Sequence, residues 1–534
     1  MIDSNTVEVT SPLTPSLPRV HPLPAVRLRT RTLLVAAVVS AALVIRLHGL
    51  GAASFGEDEI NKLRAVEAYD RGDISANAEH PMLMKLAIWA SLHTTGAWHV
   101  APETALRLPN AIVGAATAGV VFLIAEALFD ATVGGWAALV WALDINAAAI
   151  NRIGKEDTFL LFFLLLAAYW YERAKAVPRD DAARRDRWYL RSAAAFGLML
   201  ASKYMPHYFG LHTVFNFASS PDPNDKTPDK RWPFYVVMGL AFVTANVALL
   251  RPDTWRYLIG YAQGDTLRHT GYSFAQRLYV NTIGATPWGT PPTFYLAFFA
   301  TKVPLAVLAA AIVGLVWTAR HPSHRGATFI RVFLVLTLLP YSFVASKFLR
   351  YMLPVLAVID IAAAVGIACV LRRFHGPARA GGSLVAVACA ACVVVPSIAQ
   401  QASVGPYYGL AQNAIGARLV PRGSMFPDDE IYDAGLREAV AVIASTASRD
   451  AVVCSDAPGV VAEYLAHDRR TDMRSCSISH DGVPMDAVQT WLVVQASHTY
   501  FENAAVIDAV RRRSQPWADV RIAGVSAVQV FRFR

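Results

Sequence analysis

Two short acidic segments contain the residue types that proton transfer requires. The first reads Phe55-Gly56-Glu57-Asp58-Glu59, and the second reads Asn151-Arg152-Ile153-Gly154-Lys155-Glu156-Asp157. A carboxylate in such a segment can act as a general base toward a hydroxyl group. For the first segment alone, a solvated acidic loop explains the pattern equally well. The second segment and the cations near it favour a site that holds a phosphate and deprotonates a hydroxyl.

Cationic side chains recur beside these acids and at the ends of apolar segments. They are Lys85, Arg107, Arg152, Lys203, Lys347 and Arg350. A single Lys or Arg at a membrane edge is usually an interface anchor. Several cations near carboxylates on one face of a membrane instead favour the binding of an anion, because ionisable groups are costly there and cluster at functional sites.

The elements that position these residues must be largely membrane-embedded, as the composition shows. Of the 534 residues 54% are hydrophobic and only 17% are charged, and the mean hydropathy is +0.35. An ordinary soluble domain carries roughly 25% charged residues. The net charge of +9 could suggest nucleic acid, but basic cytoplasmic loops of a membrane protein explain it better. The composition therefore predicts no nucleic-acid partner.

About eleven apolar segments have the length that a membrane core requires. They lie at 32–47, 107–129, 133–150, 158–174, 189–205, 207–219, 233–250, 294–318, 328–345, 351–371 and 383–399. Basic residues concentrate in the connections 174–188, 219–232, 319–327 and 371–382, which places the N-terminus in the cytoplasm. Residues 82–96 are too short to span and are predicted to lie on the outer face.

The last third of the sequence changes to polar, turn-rich segments. Strands are predicted at 451–455, 488–494 and 518–531, the last broken near Gly524, with helices at 459–466 and 503–512. We therefore expect a disordered tail over 1–31, a membrane domain over 32–400 and a small extracytoplasmic α/β domain over 401–534. Cys454 and Cys476 would face an oxidising compartment, and we expect two unpaired thiols rather than a disulfide.

The order of motifs resembles that of the GT-C membrane glycosyltransferases, in particular bacterial members of the protein O-mannosyltransferase family (glycosyltransferase family 39) and the aminoarabinose lipid A transferases. The similar motifs are Phe55–Glu59, Glu79–Lys85, Arg107-Leu108-Pro109-Asn110, Asn151–Asp157, Ser202-Lys203-Tyr204 and Lys347–Pro354. The resemblance covers about residues 50–400 and implies an all-α polytopic GT-C fold. It also implies a multi-pass protein of the bacterial inner membrane.

This resemblance implies an inverting transfer of a sugar from a polyprenyl phosphate to a hydroxyl of a protein, glycan or lipid. The family's catalytic pair corresponds to Asp58 and Glu59, with Asp58 as the base. Its substrate-binding elements correspond to the residues His80, Lys85, Arg107, Arg152 and Asp157. Lys155-Glu156 stands where the family has an apolar pair, and Met82 replaces the second proline of its His-Pro-Pro element.

Two further hypotheses come from the residues alone. Glu79, His80 and His269 are weak candidates for binding a divalent metal, since they carry oxygen and nitrogen ligands. A transporter or flippase for a lipid-linked sugar is the alternative function. Transporters usually show internal repeats and ionisable groups near the membrane midplane, whereas the charges of this sequence lie at one membrane edge.

Overall fold

The computed structural model describes residues 28–178, 180–204, 231–263, 271–280, 289–344, 346–374, 379–484 and 488–533. The helices up to residue 404 are α1 (Leu28–Leu47), α2 (Glu57–Asp70), α3 (Met82–Gly96), α4 (Pro102–Leu128), α5 (Ala131–Leu143), α6 (Ile145–Ile150), α7 (Asp157–Lys175), α8 (Ala182–Ser202), α9 (Arg231–Thr244), α10 (Pro252–Ala262), α11 (Phe294–Lys302), α12 (Leu305–Arg320), α13 (Arg325–Phe343), α14 (Leu353–Phe374) and α15 (Arg379–Val404). Short 3-10 helices cover Val247–Leu250 and Leu349–Met352, and a small hairpin pairs β1 (Tyr272–Phe274) with β2 (Arg277–Tyr279).

Long apolar helices dominate this part of the chain. Five helices among the described residues are long and apolar enough to cross a membrane: Arg29–Leu47, Pro102–Leu128, Arg325–Phe343, Leu349–Phe374 and Leu384–Val404. Large apolar side chains such as Leu33, Leu240 and Leu384 are exposed, as expected where a helix faces lipid rather than water. The predicted tail 1–31 overlaps α1, which begins at Leu28, and its earlier residues lie outside the described part of the chain.

Two predicted spans are broken into two helices each. The segment 133–150 divides into α5 and α6 because Asp144 caps α6, accepting hydrogen bonds from the backbone N–H groups of Asn146 and Ala147 at 2.8 and 3.3 Å. The segment 294–318 divides into α11 and α12 at Pro304, where Asn413 donates to the carbonyl oxygens of Ala300 and Val303. The predicted span 207–219 lies outside the described residues.

The C-terminal region forms the predicted small α/β unit. Its elements are α16 (Ala414–Leu419), α17 (Pro427–Glu430), α18 (Leu436–Thr446), β3 (Val452–Ser455), α19 (Pro458–His467), β4 (Arg474–Ser477), α20 (Ile478–Asp481), β5 (Thr490–Gln495), α21 (Ala504–Arg513), β6 (Ala518–Ile522) and β7 (Val525–Phe533), with 3-10 helices at Tyr408–Leu410 and Phe501–Asn503. The sheet order is β4-β3-β5-β7-β6, with β3 parallel to β4 and β5 and the remaining pairs antiparallel. Ala523 and Gly524 have positive φ in the β6–β7 turn, which is the conformation that a two-residue hairpin favours. Strand β4 was not predicted.

The expectation of two unpaired cysteines is wrong, because Cys454 and Cys476 form a disulfide. The two residues are partners in the register of the parallel strands β3 and β4, and their Cα atoms lie 4.4 Å apart. A separation of this size suits a disulfide. The error follows from missing β4, since only the pairing of these strands brings the two sulfurs together.

The C-terminal unit packs directly on the loop between α1 and α2. Ser54 Oγ donates to the carbonyl oxygen of Asp433 at 2.6 Å, and the backbone N–H of Phe55 donates to the Tyr464 hydroxyl at 2.8 Å. Phe55 and Ile60 share one hydrophobic cluster with side chains of α18, α19 and β5. The α/β unit therefore fixes the segment that carries the first acidic motif.

Candidate active site

Helix α2 begins at the first acidic motif, and Glu59 organises that beginning. Its carboxylate accepts a hydrogen bond from the backbone N–H of Gly56 at 2.9 Å, as in a capping box. It also accepts one from the backbone N–H of Gly154 at 2.7 Å, which joins the first acidic segment to the second. Glu59 is fully buried. In this geometry Glu59 positions the site and does not face its open side.

Arg107 of α4 completes the arrangement around Glu59. Its Nε and Nη2 atoms lie 2.9 and 2.6 Å from the two carboxylate oxygens of Glu59. The guanidinium also donates to the carbonyl oxygens of Leu50, Ala53 and Ser54. These contacts use all five donors of an arginine. In this arrangement Arg107 therefore has no free N–H group for the predicted contact with a phosphate.

Asp58, one residue earlier, lies in a different environment. Its side chain is 40% exposed, and its Oδ2 pairs with the Nζ of Lys155, which is itself only 4% exposed. Burial alone would raise the pKa of Asp58, but the positive charges of Lys155, Lys62 and Arg350 hold that pKa well below its usual value. Asp58 is thus an ionised carboxylate at neutral pH that solvent can still reach.

A second ion pair lies beside the first. Lys62 Nζ is 2.9 Å from Glu156 Oε1, and both side chains are 1% exposed. His80 Nδ1 lies 3.5 Å from the same oxygen. Burial lowers the pKa of His80 to about 3, so its imidazole is neutral at physiological pH. The pair joins α2 to the segment that precedes α7.

The third part of the site surrounds Asp157 at the start of α7. Lys203 Nζ lies 2.7 Å from Asp157 Oδ1, and Arg350 Nε lies 3.8 Å from Asp157 Oδ2. The positive charge of Arg350 also helps to lower the pKa of Asp58. It opposes the rise that burial causes in the pKa of Asp429. The structure therefore brings together five of the predicted residues: Asp58, His80, Asp157, Lys203 and Arg350.

An open, polar groove leads to Asp58. Its empty volume is about 890 Å³, part of which is continuous with solvent, and its lining includes Asp58, Asn61, Arg64, Asn77, Glu79, His80, Tyr257 and Tyr261. The polar side chains of the groove can hydrogen-bond to the hydroxyl groups of a ligand, and its tyrosine rings can pack against the apolar faces of that ligand. The groove gives a hydroxyl-bearing substrate access to the Asp58 carboxylate.

Three other predicted residues lie in different surroundings. Lys85 donates to the carbonyl oxygens of Ala76, Asn77 and His80 and so supports the loop before α3. Arg152 donates to the Gly49 carbonyl at 2.7 Å, and its guanidinium lies over the Tyr408 ring. Lys347 donates to the carbonyls of Thr290 and Val344. The structure does not place these three in the groove.

Lysine ammonium groups contact three carboxylates of this site. Among the described residues, no group of three His, Cys, Asp or Glu side chains is arranged to hold a metal ion. The carboxylates that would supply ligands, Asp58, Glu156 and Asp157, each contact the ammonium of a lysine instead. His269, one of the weak candidates, lies outside the described residues.

The sequence analysis did not predict Lys62 and Lys155, which pair with Glu156 and Asp58. Lys62 follows Asp58 by four residues, so one helical turn places both at the same side of α2. Lys155 and Glu156 departed from the pattern of the resembled family, and that departure was the available signal. Their exact partners depend on tertiary packing of α2 against the segment before α7, which no local pattern reveals.

Comparisons with known proteins agree with this architecture. Residues 79–250 match the family model described as dolichyl-phosphate-mannose-protein mannosyltransferase. The structure of ArnT from Cupriavidus metallidurans bound to undecaprenyl phosphate is similar with a TM-score of 0.53 and 13% identity, over 95% of this chain and 99% of that one. An oligosaccharyltransferase of Archaeoglobus fulgidus tethered to an acceptor peptide has a TM-score of 0.50 and 12% identity, over 85% of this chain and 64% of that one. No curated protein sequence matches this chain.

Proposed function

We propose that this chain, a membrane glycosyltransferase of the GT-C fold that resembles the protein O-mannosyltransferase and ArnT enzymes, is an inverting enzyme. It transfers a sugar from a polyprenyl-phosphate donor to a hydroxyl of a protein, glycan or lipid. The reaction takes place on the outer face of a bacterial inner membrane, with the N-terminus in the cytoplasm and the C-terminal α/β unit outside. Its partners are thus membrane lipid, the lipid-linked sugar and the hydroxyl acceptor.

One observation carries this proposal: an ionised, solvent-accessible Asp58 lies in a polar groove beside buried cations. The carboxylate can accept a proton from a hydroxyl that enters the groove. The side chains of Lys203 and Arg350 can stabilise the negative charge that develops on a leaving phosphate. A base and a cluster of cations at one edge of a membrane are what transfer from a lipid phosphate needs.

The proposed reaction is a single displacement. The acceptor oxygen attacks the anomeric carbon from the face opposite the phosphate, and the bond from that carbon to the phosphate oxygen breaks. The leaving polyprenyl phosphate takes the bonding electron pair, and the acceptor proton moves to Asp58. One base is sufficient for such an inverting step, and solvent in the groove then removes the proton from Asp58.

The comparisons support the donor class. The similar ArnT structure is bound to undecaprenyl phosphate, and the matching family model is described by a dolichyl-phosphate-linked sugar. The lipid tail of such a donor needs no polar site, because a surface between helices and lipid can accommodate it. The sugar could be mannose or another hexose.

The test uses purified protein in liposomes of bacterial phospholipid that contain radiolabelled mannosyl undecaprenyl phosphate. Hydroxyl acceptors are added from the outside as Ser/Thr peptides, glycans or lipid A. We expect label to move to one acceptor class with release of undecaprenyl phosphate, and the Asp58→Asn variant should not support it. Movement of intact donor between the membrane leaflets without cleavage would instead identify a flippase.

A further inference from the structure

We infer that Lys155 is a further catalytic residue, whose ammonium supplies the positive charge between the Asp58 carboxylate and the phosphate of the lipid-linked donor. In this site a lysine side chain thus takes the place that a divalent cation could otherwise have. The inference rests on the proposed function, since it concerns the phosphate of the same donor.

Two hydrogen bonds hold the backbone of Lys155. Its backbone N–H donates to the Ile153 carbonyl at 2.8 Å, and its own carbonyl accepts from the Asn110 amide at 2.7 Å. The neighbouring Gly154 N–H donates to Glu59. The side chain then extends from the buried side to Asp58, which is the more exposed partner. Such a preorganised cation is the kind that stabilises a transition state with little rearrangement.

Of the lysines near Asp58, Lys155 is the one that can also contact a bound phosphate. Lys62 is held by Glu156, and Lys203 is held by Asp157. Lys155 has its ion pair with the half-exposed Asp58, the carboxylate that faces the groove. Burial lowers the pKa of Lys155 to about 8, so the side chain is largely protonated at pH 7. An incoming phosphate can share this ammonium without separating either of the two deeper pairs.

When the Lys155 ammonium also contacts the phosphate, Asp58 becomes a stronger base. While Lys155 pairs only with Asp58, it depresses the pKa of that carboxylate and weakens it as a base. A phosphate that draws part of the positive charge away raises the proton affinity of Asp58. The acceptor proton then moves to Asp58 while the electron pair of the breaking bond moves to the phosphate oxygen, where Lys155 stabilises it. Donor binding and base strength are coupled through one side chain.

The experiment compares Lys155→Met with Lys155→Arg in the full-length protein. Loss of the charge should reduce kcat by about 10²–10³-fold, as loss of one transition-state donor does elsewhere. The arginine variant retains a charge and should recover a large part of that loss. Lys302→Met removes an ammonium from another buried pair, with Glu430, and therefore controls for the stability cost of such a change.

A pH profile tests whether the charge of Lys155 acts on Asp58. Among the described residues, the charged and titratable groups near Asp58 include Lys62, His80, Lys155, Glu156, Arg350, Tyr261 and Tyr432. Among the cations, Lys155 contributes most to lowering the pKa of Asp58. The acidic limb of kcat/KM should therefore move to higher pH in Lys155→Met. A side chain that only supported the local fold, without its charge acting on Asp58, would leave that limb in place.

Metal dependence provides the opposing result. Wild-type turnover should persist after exhaustive EDTA treatment, with less than one metal ion per protein by mass spectrometry. Loss of wild-type activity in EDTA with recovery in Mg²⁺ or Mn²⁺ would overturn the inference. An unchanged kcat in Lys155→Met would overturn it as well.

A binding measurement distinguishes failure of the proposed function from failure of the inference about Lys155. If wild-type protein turned over no lipid-linked sugar, binding of undecaprenyl phosphate to both proteins in nanodiscs would test the inference directly. A Kd at least about tenfold weaker for Lys155→Met, roughly 1.4 kcal/mol, would support contact between Lys155 and a phosphate. Equal affinities would overturn it.

Discussion

Arg107 and Glu59 form a buried pair in which both carboxylate oxygens face the guanidinium, at 2.9 and 2.6 Å, and neither side chain is more than 2% exposed. The pair joins α4 to the first turn of α2, the turn that also contains Asp58. The motif residues thus divide by environment: Glu59 and Arg107 hold the frame, and Asp58 faces the groove.

The first prediction concerns this frame. Arg107→Met would leave the Glu59 carboxylate buried without its cation, and such a loss typically costs about 3–5 kcal/mol. We expect a lower unfolding temperature in detergent, measured by intrinsic fluorescence. Arg64→Met removes an exposed ion pair with Glu67 and Glu463 and should cost no more than about 1 kcal/mol. Normal stability with a raised KM for the donor would instead return Arg107 to phosphate binding.

The second prediction concerns Asp58. Asp58→Asn keeps the size of the side chain but removes its basic oxygen, so turnover of a lipid-linked sugar should fall by about 10²–10⁴-fold. Donor binding should survive. Glu57→Gln is the matched control, because Glu57 faces Tyr500 and His498 of the C-terminal unit, and its loss should reduce turnover far less. Equal losses at both positions would contradict the role of Asp58 as base.

Much of the fold could be predicted from local patterns. The strands at 452–455 and 490–495 and the helix Pro458–His467 lie within two residues of their predicted positions, because alternation and turn residues mark them. The breaks at Asp144 and Pro304 were not predicted. Hydropathy predicts one span for an apolar segment even when it contains a single Asp or Pro. Whether Asp144 caps α6 depends on the backbone conformation at that point, which the sequence pattern does not reveal.

The site was predictable only in part, for a similar reason. Asp58, Asp157, Lys203 and Arg350 come from separate motifs, and their order resembled that of a family whose fold brings such motifs together. The different environments of adjacent residues could not be predicted: Glu59 is buried and Asp58 is exposed because the C-terminal unit fixes the turn before them. Whether Arg152 and Lys347 bind substrate stays a prediction, since both contact backbone carbonyls in this structure.

The third prediction concerns the disulfide between Cys454 and Cys476. The two residues are 22 positions apart, and a crosslink closing a loop of that length stabilises a fold by about 3 kcal/mol in the chain-entropy treatment. Cys454→Ser/Cys476→Ser should therefore unfold the C-terminal unit at a lower temperature. Wild-type protein should resist alkylation at Cys454 and Cys476 unless a reductant is added. Alkylation of Cys454 without reductant would contradict the pairing.

The fourth prediction concerns topology. A reporter that is active only outside the cytoplasm should be active when fused after Gln400 and inactive when inserted within 178–187. The physical reason is the concentration of Lys and Arg over residues 174–188, where α7 ends and α8 begins, which favours the cytoplasmic side. The reverse pattern would place the Asp58 groove in the cytoplasm and contradict a donor used on the outer face.

The last prediction concerns the contact between the C-terminal unit and the first acidic segment. His498 lies 3.4 Å from Glu57 and 3.5 Å from Asp433; burial opposes its protonation, but these carboxylates raise its pKa to about 10. A group whose folded pKa exceeds its unfolded value of about 6.5 stabilises the fold fully below that value and loses this contribution as pH rises toward 10. The unfolding temperature of wild-type protein should therefore fall more between pH 7 and pH 10 than that of His498→Gln, which carries no titrating ring. Parallel pH dependences of the two proteins would show that His498 does not hold this contact through its charge.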